Sequence, residues 1–420
     1  MKWLISLAVY LALSSIVSAE MREWTAGASG ATFDAKASKI AKGMVTLEDA
    51  DGNALQVPIA QLSEADRTYL KAWYRNGGKA VGKNGAGRKG TSKKPSPDAK
   101  KEPKKKDNFN DPWPVYPGVE GEVPIAIAME DAENKKYVYH SPHYEFTADV
   151  RLGKSLVSRL ARMFEATFIT MQKLPLNFEK ATKFKEGVRF PILLFETKAD
   201  YIKNGGPPTS AGVFMGGSNT VMVPLTSLGV RTLGSKYIID RDASNRTLVH
   251  ELVHQLTDRA YYATGARGWF TEGLAEYVAN SPYSSAGRIK IRGNSDEITD
   301  YATAGSKKYG YGRWIGTDLK VPDLREYMLM PYGQFTGESA AFNYGFGSLI
   351  VMWLFNEDAA EDRTHLTAFM KAMKAGKKGD ELLKVIRNGR SWEEFCEALA
   401  KGLRREGVKV EFGEVKEPGY

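Results

Sequence analysis

The sequence predicts an α+β protein of two folded units, and three observations predict it. Residues 22–74 alternate apolar and polar side chains at strand period and then turn to a helical pattern. From about residue 113 onward, helix-period stretches are interspersed with short apolar runs, as in one mixed domain. Between them, residues 76–106 hold eleven Lys and Arg against only Asp98 and Glu102, among Gly, Pro and Ser, a composition that cannot bury a core. With 420 residues, 42% of them hydrophobic, there is material for one large and one small domain.

At the start, Lys2 precedes an uncharged run from Trp3 to Ala19 that ends in the small residues Val17-Ser18-Ala19. That is the pattern of an export signal at 1–19, cut after Ala19, so the mature chain is expected to begin at Glu20 and to work in the periplasm or outside the cell. No later apolar run is long enough to cross a bilayer, so no transmembrane anchor is expected after cleavage. One cysteine, Cys396, rules out an intramolecular disulfide despite export, leaving packing and metal to stabilise the fold. Phe395, Leu399 and Leu403 repeat every four residues around it and predict a buried place on a helix.

The small unit is expected over residues 20–75. Phe33, Ala35, Val45, Leu47, Leu55 and Val57 mark strands, Asp51-Gly52-Asn53 a turn, and Ser63 with Asp66 a helix start ahead of Tyr69, Leu70 and Trp73. This reads as a small barrel of strands closed by a short helix. The linker is expected over 76–112. The surplus of nine positive charges within 76–106 equals the net charge of the whole chain, so the basic balance describes the linker and not a binding face of the large unit; a solvated tether is expected ahead of weak attachment to an anionic envelope or polysaccharide, and nucleic acid is not an expected partner. In the large unit, 113–420, the patterns predict a long helix from Leu156 to Leu174 and a buried strand from Phe190 to Phe195. Two short strands follow around a 216–219 turn in GVFMGGSNTVMVP (Gly212 to Pro224), then helices from Asn245 to Thr257 and Thr271 to Asn280, and mostly helix after Ala340. Asp242 or Ser244 is placed to cap the first of that helix pair. A sheet upstream and a helical lobe downstream would leave a cleft between them.

The chemistry concentrates in the helix pair. His250, Glu251 and His254 spell H-E-x-x-H, which puts two imidazoles on one helix face with a carboxylate beside them. Two histidines leave zinc under-coordinated, and two His plus one Glu is a set that catalytic zinc sites use, with a fourth position kept for water. Glu272, 18 residues after His254 and beyond the turn residues Gly265 to Gly268, is the natural third ligand. Glu276, one helical turn further, can accept a hydrogen bond from the far nitrogen of a ligating histidine. Leu248, Leu252 and Leu256 give the first helix an apolar stripe to bury beside the site.

HELVHQ followed by WFTEGLAEYVA resembles the gluzincin metallopeptidases, most closely their bacterial peptidase-MA-like branch. The resemblance implies a zincin-like domain, a twisted sheet with active-site helices and a helical C-terminal lobe. It also implies one zinc ion on His250, His254 and Glu272, with Glu251 as general base in hydrolysing a protein or peptide. The loop to Glu272 is one or two residues shorter here than in the better-known members. The resemblance also points to a downstream tyrosine that donates to the oxyanion, and Tyr344, in NYGFG before an apolar run, fits that description. It assigns the 212–224 hairpin as an edge for an extended peptide, although an ordinary sheet hairpin reads the same way. No glycine-rich exopeptidase loop is present, which favours an endopeptidase. REWT, the V-T-L and V-P-I strands and LSEAD resemble the Sla homology domain, an SH3-like module, and imply a protein, peptide or cell-envelope ligand for the small unit.

Two rival functions remain at this stage: an envelope-binding protein with an inert peptidase-like scaffold, and a zinc amidase acting on cell-wall peptides. The intact set of His250, Glu251, His254 and Glu272 argues against the first, because a retired enzyme has no chemical reason to keep the base. His140 and His143 lie in an alternating strand pattern and His365 on a helix face, and none of the three is assigned to the site.

Overall fold

The computed structural model describes residues 22–25, 32–41, 43–48, 54–75, 107–233, 236–239, 246–284, 286–304 and 312–416. The export signal, the basic stretch at 76–106, the turn at 51–53 and the cap candidates Asp242 and Ser244 lie outside these residues. The fold is α+β, and contacts divide the chain into two compact units, 1–102 and 103–420.

In the first unit, β1 (Arg22–Thr25), β2 (Thr32–Ala41), β3 (Met44–Glu48) and β4 (Ala54–Pro58) form one antiparallel sheet in the order β1-β2-β3-β4, followed by α1 (Glu64–Arg75). Strand alternation turns Ala35, Ala37, Val45 and Leu47 inward, where they meet Trp24 and, from the helical segment, Leu62, Leu70 and Trp73. The Trp24 indole keeps its N–H satisfied by donating to the Ala35 carbonyl at 2.9 Å. Ser63 caps α1 by accepting from the Asp66 amide at 3.1 Å, and the Asp66 carboxylate accepts from Arg22 at 2.6 Å, tying helix to first strand. The inward pattern fails at Leu55, which is 55% exposed at the start of β4.

The second unit contains β5 (Ala126–Asp131), β6 (Lys136–His140), β7 (Tyr144–Ala148), α2 (Lys154–Lys173), α3 (Glu179–Thr182), β8 (Phe190–Phe195), α4 (Lys198–Lys203), β9 (Val213–Met215), β10 (Thr220–Pro224), β11 (Val230–Leu233), β12 (Lys236–Ile239), α5 (Arg246–Leu256) and α6 (Thr271–Asn280). The lobe after α6 holds α7 (Ser295–Thr303), β13 (Asp318–Val321), α8 (Leu324–Leu329), α9 (Tyr332–Phe335), α10 (Ala340–Trp353), α11 (Thr364–Lys374), α12 (Gly379–Arg387), α13 (Trp392–Arg405) and β14 (Lys409–Phe412).

Its main sheet has the order β5-β6-β7-β8-β10-β9, with β7, β8 and β10 parallel and the others antiparallel to their neighbours. Phe146, Ile192, Val221 and Val223 pack beneath α2 and α5 with Phe164, Phe168, Leu252, Val253 and Leu256, all under 2% exposed. A smaller cluster of Phe195, Tyr201 and Met222 uses α4. β9 ends up as an edge strand beside α5, which positions the site.

One boundary differs from expectation. The linker predicted over 76–112 overshoots, because Asn108 donates to the carbonyls of Gln172 and Leu174 at 2.9 and 2.8 Å and Phe109 is 4% exposed in the core of the second unit. The four charged and polar residues Asp107, Asn108, Asn110 and Asp111 mask the single aromatic, Phe109, that anchors it. Cys396 is buried on α13 as expected, and burial pushes its thiol up to about 12.

Candidate metal centre

α5 buries Leu248, Leu252 and Leu256 in the core, which leaves His250 and His254, one turn apart, facing away from the sheet. The chain then reverses through Gly265 and Gly268, both at positive φ (91° and 93°), and α6 returns alongside with Trp269 and Phe270 fully buried at its start. That return brings Glu272 to the two imidazoles.

The Nε2 atoms of His250 and His254 are 3.0 Å apart, and Glu272 Oε2 lies 3.2 and 3.1 Å from them. Three donors on a tetrahedron with zinc bonds of about 2.0 to 2.1 Å would be separated by about 3.3 Å. The near-equilateral triangle therefore matches three corners of such a site. Among the described residues this is the one group of three or more His, Cys, Asp or Glu side chains that could hold a metal ion. The electrostatics agree. Glu251, Glu272 and Glu276 bring three carboxylates to the centre, where Arg313 pairs with Glu276. Burial opposes charge on His250, but the carboxylates of Glu272, Glu276 and Glu251 outweigh it and raise its pKa to about 9. Burial likewise pushes the Glu272 carboxyl up, yet His254 and His250 hold it well below the usual range.

Every ligand is held from behind. Glu276 Oε1 lies 3.5 Å from His250 Nδ1 and pairs with Arg313, while Asn280 donates to its other oxygen at 3.0 Å. The Tyr262 hydroxyl lies 3.1 Å from His254 Nδ1, and Tyr332 donates to Glu272 Oε1 at 3.0 Å. With both Nδ1 atoms engaged, both Nε2 lone pairs are free to converge. Removing the Tyr262 acceptor is expected to weaken metal binding about tenfold in Tyr262→Phe, measured by competition against a chromogenic chelator.

Glu251 lies half-buried, and its Oε2 accepts the Phe214 amide of β9 at 2.8 Å. In an antiparallel pair the amide and carbonyl of one residue point the same way. Phe214 thus presents both to the open edge of the sheet, next to Glu251, while Val213 and Met215 face β10. The predicted hairpin is real, and its outer strand is the one that meets the carboxylate. Tyr344 stacks on His250 with ring centroids 6.1 Å apart. Burial pushes the hydroxyls of Tyr332 and Tyr344 up, so each stays a donor at neutral pH.

No family model and no curated protein matches this chain.

The structure brings together every residue the sequence assigned to the site: His250, Glu251, His254, Glu272, Glu276 and Tyr344. The sequence did not reveal Tyr262, Tyr332, Arg313 or the Phe214 amide. Tyr262 sits eight residues past His254 in an aromatic pair, a faint signal, whereas Tyr332 and Arg313 reach the centre only through tertiary packing. The remaining described histidines lie outside the triangle, each against a carboxylate. His140 pairs with Glu145 at 2.9 Å, His143 pairs with buried Glu165 and stacks on Phe168, and His365 pairs with Asp358 at 3.0 Å. A cavity of about 500 Å³ lies elsewhere in the lobe, lined among others by Asp323, Tyr327, Met330 and Phe342, and contains none of the metal-centre residues.

The hairpin is fastened by Lys180, whose ammonium donates to Asn219 Oδ1 at 2.9 Å and to the Gln255 carbonyl at 2.8 Å near the end of α5. Burial lowers its pKa to about 8, against the pull of Asp258 and with a smaller push from Arg259. Between about 8 and the ordinary value of 10.5 the unfolded chain binds more protons than the folded one, so this group's contribution to stability rises with pH across that window. The difference in unfolding free energy between wild type and Lys180→Met is expected to shift in favour of wild type by up to about 3 kcal/mol between those limits, followed by denaturant melts.

Proposed function

We propose that the chain is an exported zinc metallopeptidase of the gluzincin type, with a zincin-like second unit and an SH3-like first unit that holds a protein, peptide or envelope ligand. The observation that carries the reading is the triangle of His250, His254 and Glu272 donors with a further carboxylate, Glu251, beside it and outside it. A purely structural zinc site would close its fourth corner with a protein ligand. Here the neighbouring carboxylate is instead engaged with a backbone amide at the sheet edge.

Zinc on those three ligands supplies a Lewis acid for a peptide carbonyl and makes a water acidic near neutral pH. Glu251 takes the proton from the attacking water and hands it to the leaving amine. Its bond to the Phe214 amide holds the carboxylate on the substrate side of the ligands. The Phe214 carbonyl, on the same open edge, is free to accept an amide of an extended peptide. Tyr344, stacked on His250, is the candidate donor to the developing oxyanion. Glu276 and Tyr262 keep the imidazoles in the tautomer that leaves Nε2 unprotonated. Export fits a hydrolase whose substrates lie outside the cytoplasm, and the basic segment serves as a tether.

Metal analysis and hydrolysis of casein or a mixed peptide library by the mature protein, beside Glu251→Gln and with a chelator, test the reading. One zinc per chain and chelator-sensitive cleavage by wild type alone support it. A chain that binds no zinc sinks the site as drawn.

A further inference from the structure

We propose that Arg267 is a specificity residue that selects substrates carrying a carboxylate close to the scissile bond, an inference that rests on the peptidase reading above. The residue occupies the turn between the two metal helices, two positions after Gly265 and immediately before Gly268, where the chain is pinned by its amide bonding to the Ala263 carbonyl at 2.8 Å. Its guanidinium lies 4.4 Å from the centroid of the Tyr332 ring, and Tyr332 in turn donates to Glu272. Burial pushes the hydroxyls of Tyr262 and Tyr332 up, and Arg267 is near enough to both to pull each partly back. The cation therefore lies over the tyrosine that bonds Glu272, held by its aromatic face and still exposed to solvent.

Among the described residues no carboxylate forms an ion pair with Arg267, unlike Arg313, whose charge is spent on Glu276. The ledger at the centre makes the same point. Glu251, Glu272 and Glu276 carry three negative charges, and Arg313 with a divalent cation balances them. Arg267 adds a further positive charge, exposed at the turn between the two metal helices. A planar guanidinium stacked on a tyrosine is pre-organised for two parallel bonds to a carboxylate. Lysine would offer the charge without that fork. The carboxylate could belong to an internal Asp or Glu side chain or to a free C-terminus, and the two are separable by experiment.

Peptide sets that differ only by Asp or Glu against Asn or Gln at each position, each with a free or an amidated C-terminus, are cleaved by wild type, Arg267→Ala and Arg267→Lys. In parallel, the same peptides are titrated calorimetrically into zinc-loaded Glu251→Gln, with and without Arg267→Ala. Wild type is expected to prefer the carboxylate-bearing member about tenfold or more, chiefly through KM, with the preference lost in Arg267→Ala and partly kept in Arg267→Lys. The position at which acid is preferred identifies a side-chain carboxylate, and sensitivity to amidation identifies the C-terminus. Cleavage with no such preference, or a preference unchanged in Arg267→Ala, overturns the role of Arg267 and leaves the peptidase reading intact. Absence of cleavage with carboxylate-selective, Arg267-dependent binding sinks the peptidase reading and retains the anion site. Equal binding of acid and amide peptides overturns the anion site directly.

Discussion

Glu251→Gln is expected to keep one zinc per chain and to lower kcat for peptide hydrolysis by about three orders of magnitude, the middle of the range for removing a positioned general base. The argument is geometric. Glu251 Oε2 spends its bond on the Phe214 amide and is not among the three atoms that converge at the metal position, so the amide variant leaves the ligand triangle untouched. Glutamine also preserves the bond to β9 through its carbonyl oxygen, which keeps the helix and the sheet edge in register. What it loses is the ability to take a proton. The companion variant Glu272→Ala should behave oppositely, losing metal as well as activity, because it removes the one oxygen that lies within 3.2 Å of both Nε2 atoms. Metal content measured beside turnover separates the two roles. If Glu251→Gln lost zinc, or retained hydrolysis within about tenfold of wild type, the assignment of Glu251 as base would be wrong.

The site was legible in sequence to the extent that it is local. H-E-x-x-H places His250, Glu251 and His254 by helix periodicity alone, and the 18-residue gap to Glu272 is long enough for only one turn and the start of a second helix. The strand Phe190–Phe195, the hairpin and the inward pattern of Ala35, Val45 and Leu47 were readable for the same reason, since each follows from a period within a few residues. What could not be read is what the lobe after α6 delivers. Tyr332 arrives from a four-residue helix with no motif, and Arg313 from a segment without regular structure, each selected by packing across 60 and 37 residues of chain. The same holds for Phe214. Its composition announces a strand, but only the sheet order makes that strand an edge and turns its amide toward Glu251. Asn108 and Phe109 failed for a related reason, because their burial depends on carbonyls at the end of α2 that no local pattern signals.

Gly273→Ala is expected to destabilise the second unit by about 3 kcal/mol and to cost metal affinity at the same time, a coupling that a simple cavity or propensity effect would not give. A methyl at this position would lie 2.4 Å from the Gly347 carbonyl oxygen and 2.6 Å from its carbon, both backbone atoms of α10. No rotamer can relieve that contact, so the helices must part. α6 carries Glu272 one residue before the crossing and Glu276 three residues after it, so any shift of α6 moves the third ligand and the support of His250 together. α10 carries Tyr344 three residues before Gly347, and the same displacement would draw it from His250. Gly347→Ala should be milder, because its added methyl meets the Trp269 carbonyl oxygen at 3.0 Å and the Tyr327 hydroxyl at 3.3 Å, contacts that small adjustments can open. Helix propensity alone would make both substitutions favourable by up to about 1 kcal/mol, the opposite sign. Denaturant melts of the metal-free protein and zinc competition on the same samples decide between them. Stabilisation by Gly273→Ala would show that α6 and α10 do not cross this closely, and the glycine that follows Glu272 would then need another explanation.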